Sequence, residues 1–264
     1  MKIIVLVKQI LDPAGLTFRR DKERMFINRE DYIVDPASKA AIEAALRLQE
    51  AAGGDGSVTA LSAGPARVED ALREALAMGA GEAYLLTGDG FADADAAGVT
   101  RILAAAVEKL GGADLIVAGS ASSDSGGGQI GARLAEALDY AQVTEVFELA
   151  GHEGALRATR RWGGGYAAVQ VPLPAVATVA PEAFPPRYPP GARIMSAYRD
   201  WDVTTWGAED LGLSEQDLAP QLAFRRESFP SPLPEAERYR GAPADAARDA
   251  VAVLRAERIV SGKG

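Results

Sequence analysis

The stretch Lys2-Ile3-Ile4-Val5-Leu6-Val7-Lys8 places five consecutive apolar residues, most of them β-branched, between two lysines. A run of this kind predicts a strand that is buried on both faces, and such strands lie at the centre of parallel sheets. The run is shorter than the ~7–15 apolar residues of a secretory signal and the ~20 of a membrane span. We therefore expect the central strand of a parallel sheet, in a cytoplasmic protein without membrane insertion.

Three further short apolar runs follow, at residues 58–63, 83–86 and 115–118, and helical patterns separate them. The first helical pattern opens with Asp35-Pro36-Ala37-Ser38, where side-chain oxygens can cap the helix and the proline fixes its entry. Strands that alternate with helices imply right-handed βαβ crossovers. The sequence thus predicts a doubly wound, mostly parallel α/β sheet with helices on both faces, and a ligand at the carboxyl ends of its strands.

Other segments depart from this alternation. Residues 16–29 mix aromatic and charged side chains, which predicts a hairpin. Four later strand-like runs are expected to add antiparallel strands to the sheet. These runs cover residues 143–149, 156–161, 166–171 and 175–179. After residue 190 the apolar density falls, residues 220–243 have the composition of an extended arm, and residues 246–259 form a helical stripe without a core to receive it. We therefore divide the chain into an α/β domain, residues 1–190, and an extension, residues 191–264, that requires another polypeptide.

Composition excludes several classes of function. The 264 residues include 28 basic and 37 acidic side chains, a net charge of −9, which argues against nucleic-acid binding. There is no cysteine, so thiolate metal sites and thiol catalysis are excluded. The single histidine, His152, lies in a turn-like Gly-His-Glu-Gly stretch, which leaves no basis for a catalytic triad or a histidine metal site. The sequence predicts a binding protein and not an enzyme.

The most informative stretch follows the fourth apolar run. Residues 119–131 read Gly-Ser-Ala-Ser-Ser-Asp-Ser-Gly-Gly-Gly-Gln-Ile-Gly and lead into a helix. Small residues allow backbone N–H groups to turn inward, and the start of a helix adds positive partial charge, so this loop suits a phosphate group. It is neither the dinucleotide fingerprint nor a Walker loop. The alternative interpretation is a flexible Gly/Ser loop in which Asp124 forms a turn.

Two more strand ends would face the same crevice. Lys8 closes the first strand and Ala63-Gly64 closes the second, so with residues 35–38 they would line an adenine and ribose pocket. Lys8 could equally be a solvated strand-end lysine. No nucleophile with an adjacent base and no well-spaced carboxylate pair accompanies them.

The chain resembles the beta subunits of the electron-transfer flavoproteins, and the resemblance rests on segments in a characteristic order. They are residues 5–8, Asp35-Pro36 before residues 41–48, residues 62–65 with 72–80, Asp124 to Gly131, Gly164-Gly165, residues 173–178 and Pro186-Arg187-Tyr188. The resemblance implies a heterodimeric electron carrier whose alpha subunit holds most of the FAD. The beta subunit would bury a structural AMP, accept electrons from dehydrogenases such as acyl-CoA dehydrogenases, and pass them to an electron-transfer-flavoprotein:quinone oxidoreductase or respiratory chain in fatty acid β-oxidation.

The resemblance and the crevice together give a set of candidate residues. The expected nucleotide-binding residues are Leu6, Lys8, Asp35, Pro36, Ala37, Ser38, Ala63, Gly64, Ala121, Ser122, Ser123, Asp124, Ser125, Gly126, Gly127, Gly128, Gln129, Ile130, Gly131 and Ala132. The expected partner-docking residues are Gly191, Ile194 and Met195, and the C-terminal arm of residues 191–264 would wrap the alpha subunit.

Several positions depart from the family pattern. Asp35 stands where asparagine is frequent, Gly191 where leucine is common, Pro13 where some members have an aromatic residue, and Thr159 to Arg161 where some have an acidic one. A bifurcating branch of the family binds a second FAD in place of AMP, and its loop shares only its ends with residues 124–131. The alternatives are therefore a bifurcating-type subunit and a stand-alone nucleotide-binding module.

Overall fold

The computed structural model describes residues 1–264 except 23, 153, 224, 226–230, 232–234 and 261–264. Contacts divide the chain into two compact units, Met1–Phe224 and Arg225–Gly264. The strands are β1 (Lys2–Leu6), β2 (Gln9–Leu11), β3 (Leu16–Arg19), β4 (Arg24–Ile27), β5 (Tyr32–Val34), β6 (Ser57–Ala63), β7 (Glu82–Leu86), β8 (Leu115–Gly119), β9 (Ala141–His152), β10 (Ala155–Trp162), β11 (Gly165–Pro172), β12 (Ala175–Val179) and β13 (Thr204–Trp206). The α-helices are α1 (Pro36–Ala51), α2 (Glu69–Met78), α3 (Ala96–Lys109), α4 (Ile130–Leu138), α5 (Gly191–Arg199), α6 (Glu215–Leu218) and α7 (Pro243–Ala256).

A nine-stranded sheet in the order β11-β10-β9-β12-β8-β1-β6-β7-β13 forms the frame of the first unit. β1 lies between β6 and β8 and is parallel to both. Ile3 and Val5 pack in one core cluster with residues of α1 and α2, whereas Ile4 and Leu6 pack in a second cluster with residues of α3 and α4. The apolar run of β1 therefore needs no polar side chain, because helices cover both of its faces. The predicted doubly wound α/β fold is confirmed.

The strands after residue 140 correct one expectation. β10 pairs antiparallel with β9 and with β11, as predicted. Residues 175–179 were expected to be antiparallel as well, but β12 lies between β8 and β9 and is parallel to both. All five side chains of β12 are buried, as in the central strand of a parallel sheet. A short apolar run in the sequence indicates such a strand but does not indicate whether the neighbouring strands are parallel or antiparallel to it. The prediction for β12 was wrong for that reason.

Smaller elements surround the sheet. The predicted hairpin of residues 16–29 is confirmed as β3 and β4, which pair antiparallel. Beyond residue 190 the first unit contains α5, β13 and α6, and β13 extends the sheet beside β7. His152 is the last residue of β9, and its side chain is outside the part of the structure that is described.

The second unit contains α7, which covers most of the helix predicted for residues 246–259. None of its residues is buried, and Val251, Val253 and Leu254 are exposed. Much of the predicted arm, residues 224, 226–230 and 232–234, lies outside the described residues. No helix among the described residues is long and apolar enough to cross a membrane.

Candidate functional site

A cavity of about 390 Å³ opens at the carboxyl ends of β1, β6 and β8. From β1 the chain moves outward to β6 and β7 and then returns to place β8 on the other side of β1. The loops after two such strands diverge in opposite directions, and the crevice left between them is the usual ligand site of open α/β sheets. The cavity is therefore where the sequence predicted a ligand.

Most of the sequence-predicted residues come together at this cavity. Twelve of them line it: Leu6, Lys8, Asp35, Ser38, Ala63, Ala121, Ser122, Ser125, Gly127, Gly128, Gln129 and Ile130. Eight others lie next to these without lining the cavity: Pro36, Ala37, Gly64, Ser123, Asp124, Gly126, Gly131 and Ala132. Residues from segments more than a hundred positions apart thus share one wall.

Asp35 connects the start of α1 to the loop of residues 119–131. It is buried and precedes α1, where its Oδ2 accepts a hydrogen bond from the N–H of Ala37 at 3.1 Å, an N-terminal cap. Its Oδ1 accepts from the N–H of Ser123 at 2.8 Å. The N–H of Lys8 donates to Ser38 Oγ at 3.0 Å. Because one carboxylate serves both the helix and the loop, α1 holds the loop over the end of β1.

Lys8 and Asp124 form an ion pair at the rim of the cavity. Lys8 Nζ lies 2.7 Å from Asp124 Oδ1 and donates to Ser122 Oγ at 3.1 Å. Partial burial raises the pKa of the Asp124 carboxyl, but the Lys8 ammonium and the Ser122 hydroxyl outweigh it, so this pKa lies below its ordinary value. Lys8 is therefore a paired rim residue with about half of its side chain exposed, and not a free strand-end lysine.

The glycines of the loop differ in what they permit. Gly126 and Gly128 both have φ of +61°, a conformation that favours glycine, so they turn the loop back toward the cavity. Gly127 has no such backbone requirement, and a Cβ added there would meet only Ser125 Oγ at 3.8 Å. Gln129 and Ile130 line the cavity where α4 begins, and Gln129 makes no side-chain cap. The positive end of α4 is thus available to an anion in the cavity.

Gly131 has a packing role. A Cβ at this position would lie 2.2 Å from Thr178 Cγ2, so the glycine allows α4 to approach β12 closely. Gly119, at the end of β8, has the same relation to Ala37, at 2.6 Å from its Cβ. These two close approaches set the depth at which α1 and α4 enter the crevice.

Sequence reasoning missed the wall that α3 provides. Ala94, Asp95 and Val99 line the cavity, and Asp95 caps α3 by accepting from Ala97 N and Gly98 N, both at 3.0 Å. Backbone donors, Gly98 first, lower the pKa of Asp95. An aspartate before a helical pattern is a recognisable capping signal, and Asp95 precedes α3 just as Asp35 precedes α1. The same reasoning applied to residue 95 would have found it.

The candidate docking residues lie on or near α5. Gly191 begins this helix and Met195 is 63% exposed, whereas Ile194 is partly buried and packs against the core. Tyr188 and Tyr198 add exposed aromatic surface. α5 therefore presents an apolar surface with Met195 at its centre.

The arginines at the end of β10 are paired within the chain. Arg160 donates to the carbonyl oxygen of Thr144 at 3.0 Å, and Arg161 pairs with Glu182 at 2.8 Å. Thr159 donates its hydroxyl to Glu148. No group of three or more metal-ligating side chains occurs within the described part of the chain. The described residues thus form a cavity of about 390 Å³ at the carboxyl ends of the central strands.

Comparison with known proteins assigns the family. Residues 25–211 match the model of the electron transfer flavoprotein domain. An electron transfer flavoprotein subunit beta from Thermoanaerobacterium thermosaccharolyticum is 37% identical over 218 residues, which is 83% of each chain. The caffeyl-CoA reductase-Etf complex subunit CarD of Acetobacterium woodii is 33% identical over 88% of this chain and 89% of its own. Protein FixA of Azorhizobium caulinodans is 34% identical over 81% of this chain and 78% of its own. With this match over most of its length, the chain belongs to the electron transfer flavoprotein family and resembles its beta subunits, which carry electrons and are not enzymes.

Proposed function

We propose that this chain is the beta subunit of a heterodimeric electron carrier, which binds AMP in the cavity between β8, β1 and β6 and helps to hold the FAD of an alpha subunit. The cavity itself is the observation that carries the proposal. It combines a glycine-rich loop and the start of α4, which suit a phosphate, with apolar strand ends such as Leu6 and Leu61, which suit an adenine ring. The bound AMP would have a structural role, because it joins α1, β1 and the loop of residues 121–129.

The size of the cavity suits a mononucleotide. At about 390 Å³ it lies near the lower end of the ~300–1,000 Å³ range of small-molecule sites. The Lys8–Asp124 pair and Ser122 stand at its rim, and both charged side chains are partly exposed. A second FAD in this site, as in a bifurcating-type subunit, is the alternative that the following experiment tests.

The experiment is a count of nucleotides. The chain is co-expressed with its alpha partner, the purified complex is denatured, and the released FAD and AMP are quantified by chromatography. One FAD and one AMP per heterodimer would support the proposal. Two FAD without AMP would favour the bifurcating-type subunit, and the absence of both flavin and a stable partner would favour a stand-alone nucleotide-binding module.

Substitution of Gly127 by leucine is expected to abolish AMP binding and to leave the fold intact. Gly127 lines the cavity, has no left-handed backbone, and has open space around its Cβ, so a larger side chain fits the fold but occupies the phosphate position. Gly151→Leu is the matched control, since a Cβ at Gly151 has nothing within 4 Å, a Cβ at Gly127 meets only Ser125 Oγ at 3.8 Å, and Gly151 does not line this cavity. The AMP content of each heterodimer is measured, and normal AMP in the Gly127 variant would contradict the assignment of the loop.

The exposed surfaces complete the proposal. Electron donors such as acyl-CoA dehydrogenases would dock on α5 at Gly191, Ile194 and Met195. The heterodimer would accept electrons from these donors and pass the electrons to a quinone oxidoreductase or respiratory chain. The exposed apolar residues of α7 would contact the alpha subunit. Met195 on α5 and Val251, Val253 and Leu254 on α7 are the exposed apolar side chains of these surfaces.

A further inference from the structure

We propose that Arg73 and Arg193 are positioning residues, which hold α5 at a fixed orientation on α2 so that Met195 faces an electron-donor protein. This inference rests on the proposed docking function of α5. It concerns two side chains that do not line the cavity and are not among the expected docking residues, although Arg73 lies in a segment that carries the family resemblance. Their contacts with the backbone of the opposite helix carry the argument.

Arg193 lies in the first turn of α5 and covers the carboxyl end of α2. Its Nη2 donates to the carbonyl oxygen of Leu76 at 2.8 Å and its Nε to that of Ala77 at 3.0 Å. The last carbonyl groups of a helix lack partners within the helix and carry negative partial charge. The Arg193 guanidinium spans two successive carbonyls, of which that of Leu76 also accepts from the N–H of Gly79 at 3.1 Å, and it fixes the direction from which α5 approaches.

Arg73 makes the reciprocal connection from α2. Its Nη1 donates to the carbonyl oxygen of Ala197, in the last turn of α5, and to that of Trp201 at 3.1 Å. Glu69 orients the same guanidinium, at 2.9 Å from Nε and 2.6 Å from Nη2. Only 17% of the Arg73 side chain is exposed. Each of the two helices therefore supplies an arginine that covers the carboxyl end of the other.

Aromatic rings reinforce the same two arginines. The Arg193 guanidinium carbon lies 4.8 Å from the centroid of the Trp201 ring, and that of Arg73 lies 5.6 Å from the Tyr198 ring. Trp201 thus takes part in both contacts, through its ring and through its carbonyl oxygen. The two arginines therefore hold the segment after α5, through Trp201, as well as the helix itself.

α5 depends on these contacts because it is short and buries little. It has nine residues, and Ala197 is the only one that is buried. A helix of this length is marginal by itself, and only Ala197 and the partly buried Ile194 anchor it to the core. The arginine contacts add to this small apolar anchor in setting which residues α5 turns outward. Met195 and Tyr198 are among the residues that it exposes.

The test uses the complete heterodimer as electron acceptor of an acyl-CoA dehydrogenase supplied with its acyl-CoA substrate. We expect Arg193→Gln to raise the KM for the heterodimer about tenfold, since it removes two charge-assisted hydrogen bonds. FAD content and kcat should not change. Arg193→Lys should give an intermediate KM, because an ammonium can reach one of the two carbonyls but cannot span both. Arg73→Gln should behave as Arg193→Gln does.

Two further variants separate the possible outcomes. Arg101→Gln is the matched control. It removes a hydrogen bond from Arg101 to the carbonyl oxygen of Asp217, at 2.5 Å, which holds α6 on α3 beside the other core cluster. This variant should leave the KM unchanged. Met195→Ala tests the docking surface directly. A raised KM in Met195→Ala with a normal KM in Arg193→Gln would overturn the positioning role and leave docking in place. A normal KM in Met195→Ala would overturn the docking function of α5. A fall in kcat or FAD content in Arg193→Gln would also overturn the positioning role, since the effect would not be confined to docking.

Discussion

Replacement of Glu43 by alanine is expected to lower the free energy of unfolding by about 3 kcal/mol, the cost of removing one partner from a buried ion pair. Glu43 is buried in the middle of α1, and its carboxylate accepts from Arg47 Nε at 2.6 Å and from Arg187 Nε at 2.8 Å. The N–H of Arg187 also donates to it, at 3.1 Å. We expect a loss at the lower end of the usual range for buried ion pairs, because Arg187 keeps Glu50 as a second partner and about a third of the Arg187 side chain is exposed to solvent.

Glu50 provides the matched control for this prediction. It pairs with the same arginine, at 2.5 Å from Nη1, but 56% of its side chain is exposed. Glu50→Ala should therefore cost less than about 1 kcal/mol, as exposed ion pairs do. Denaturant unfolding of the wild-type chain and both variants measures the difference. Equal losses in the two variants would show that burial of Glu43 contributes nothing.

The same carboxylate predicts a pH dependence. Burial raises the pKa of Glu43, but Arg187 and Arg47 outweigh it, so this pKa lies below 4.5 in the folded chain. Its contribution to stability is then complete above pH 4.5 and is lost as the pH falls through the folded-state pKa. The difference in unfolding free energy between the wild type and Glu43→Gln should narrow as the pH is lowered below 4.5. A difference that stays constant would contradict the assignment of an ionised Glu43.

Replacement of Gly131 by alanine is expected to destabilise the chain by about 2 kcal/mol, although alanine favours helices over glycine by about 1 kcal/mol. The added Cβ would lie 2.2 Å from Thr178 Cγ2, and the next atoms are at 3.7 and 3.9 Å. α4 must therefore move away from β12, which also displaces Gln129 and Ile130 from the cavity wall. AMP content should fall together with stability.

Thr178→Ser isolates the cause of this loss. Serine lacks the methyl group that Gly131→Ala would meet but keeps the hydroxyl, which accepts from the N–H of Glu145 at 3.3 Å. In a double-mutant cycle, the two substitutions together should cost less than the sum of the single ones by at least about 1 kcal/mol. Strict additivity would mean that the contact between α4 and β12 is not what limits the substitution.

The sequence predicted the elements that are defined by neighbours along the chain. The apolar runs became β1, β6, β7 and β8, and Asp35 caps α1 through a residue two positions away. Such features depend on local propensity and on side-chain periodicity, which a single sequence displays directly. The crevice followed as well, because alternating strands and helices leave few topologies and one characteristic ligand position.

Only the tertiary structure decided how distant segments meet. The place of β12 between β8 and β9 and the bond from Arg73 to Ala197 across 124 positions of sequence have no local signal. Each depends on which buried faces and unpaired carbonyl groups come together once the chain has collapsed. The sequence by itself thus determined the strands, the helices, the cap at Asp35 and the position of the ligand crevice. The packing of the folded chain determined the strand direction of β12 and the fixation of α5, because close packing and hydrogen-bond satisfaction are properties of the assembled interior and not of any one segment.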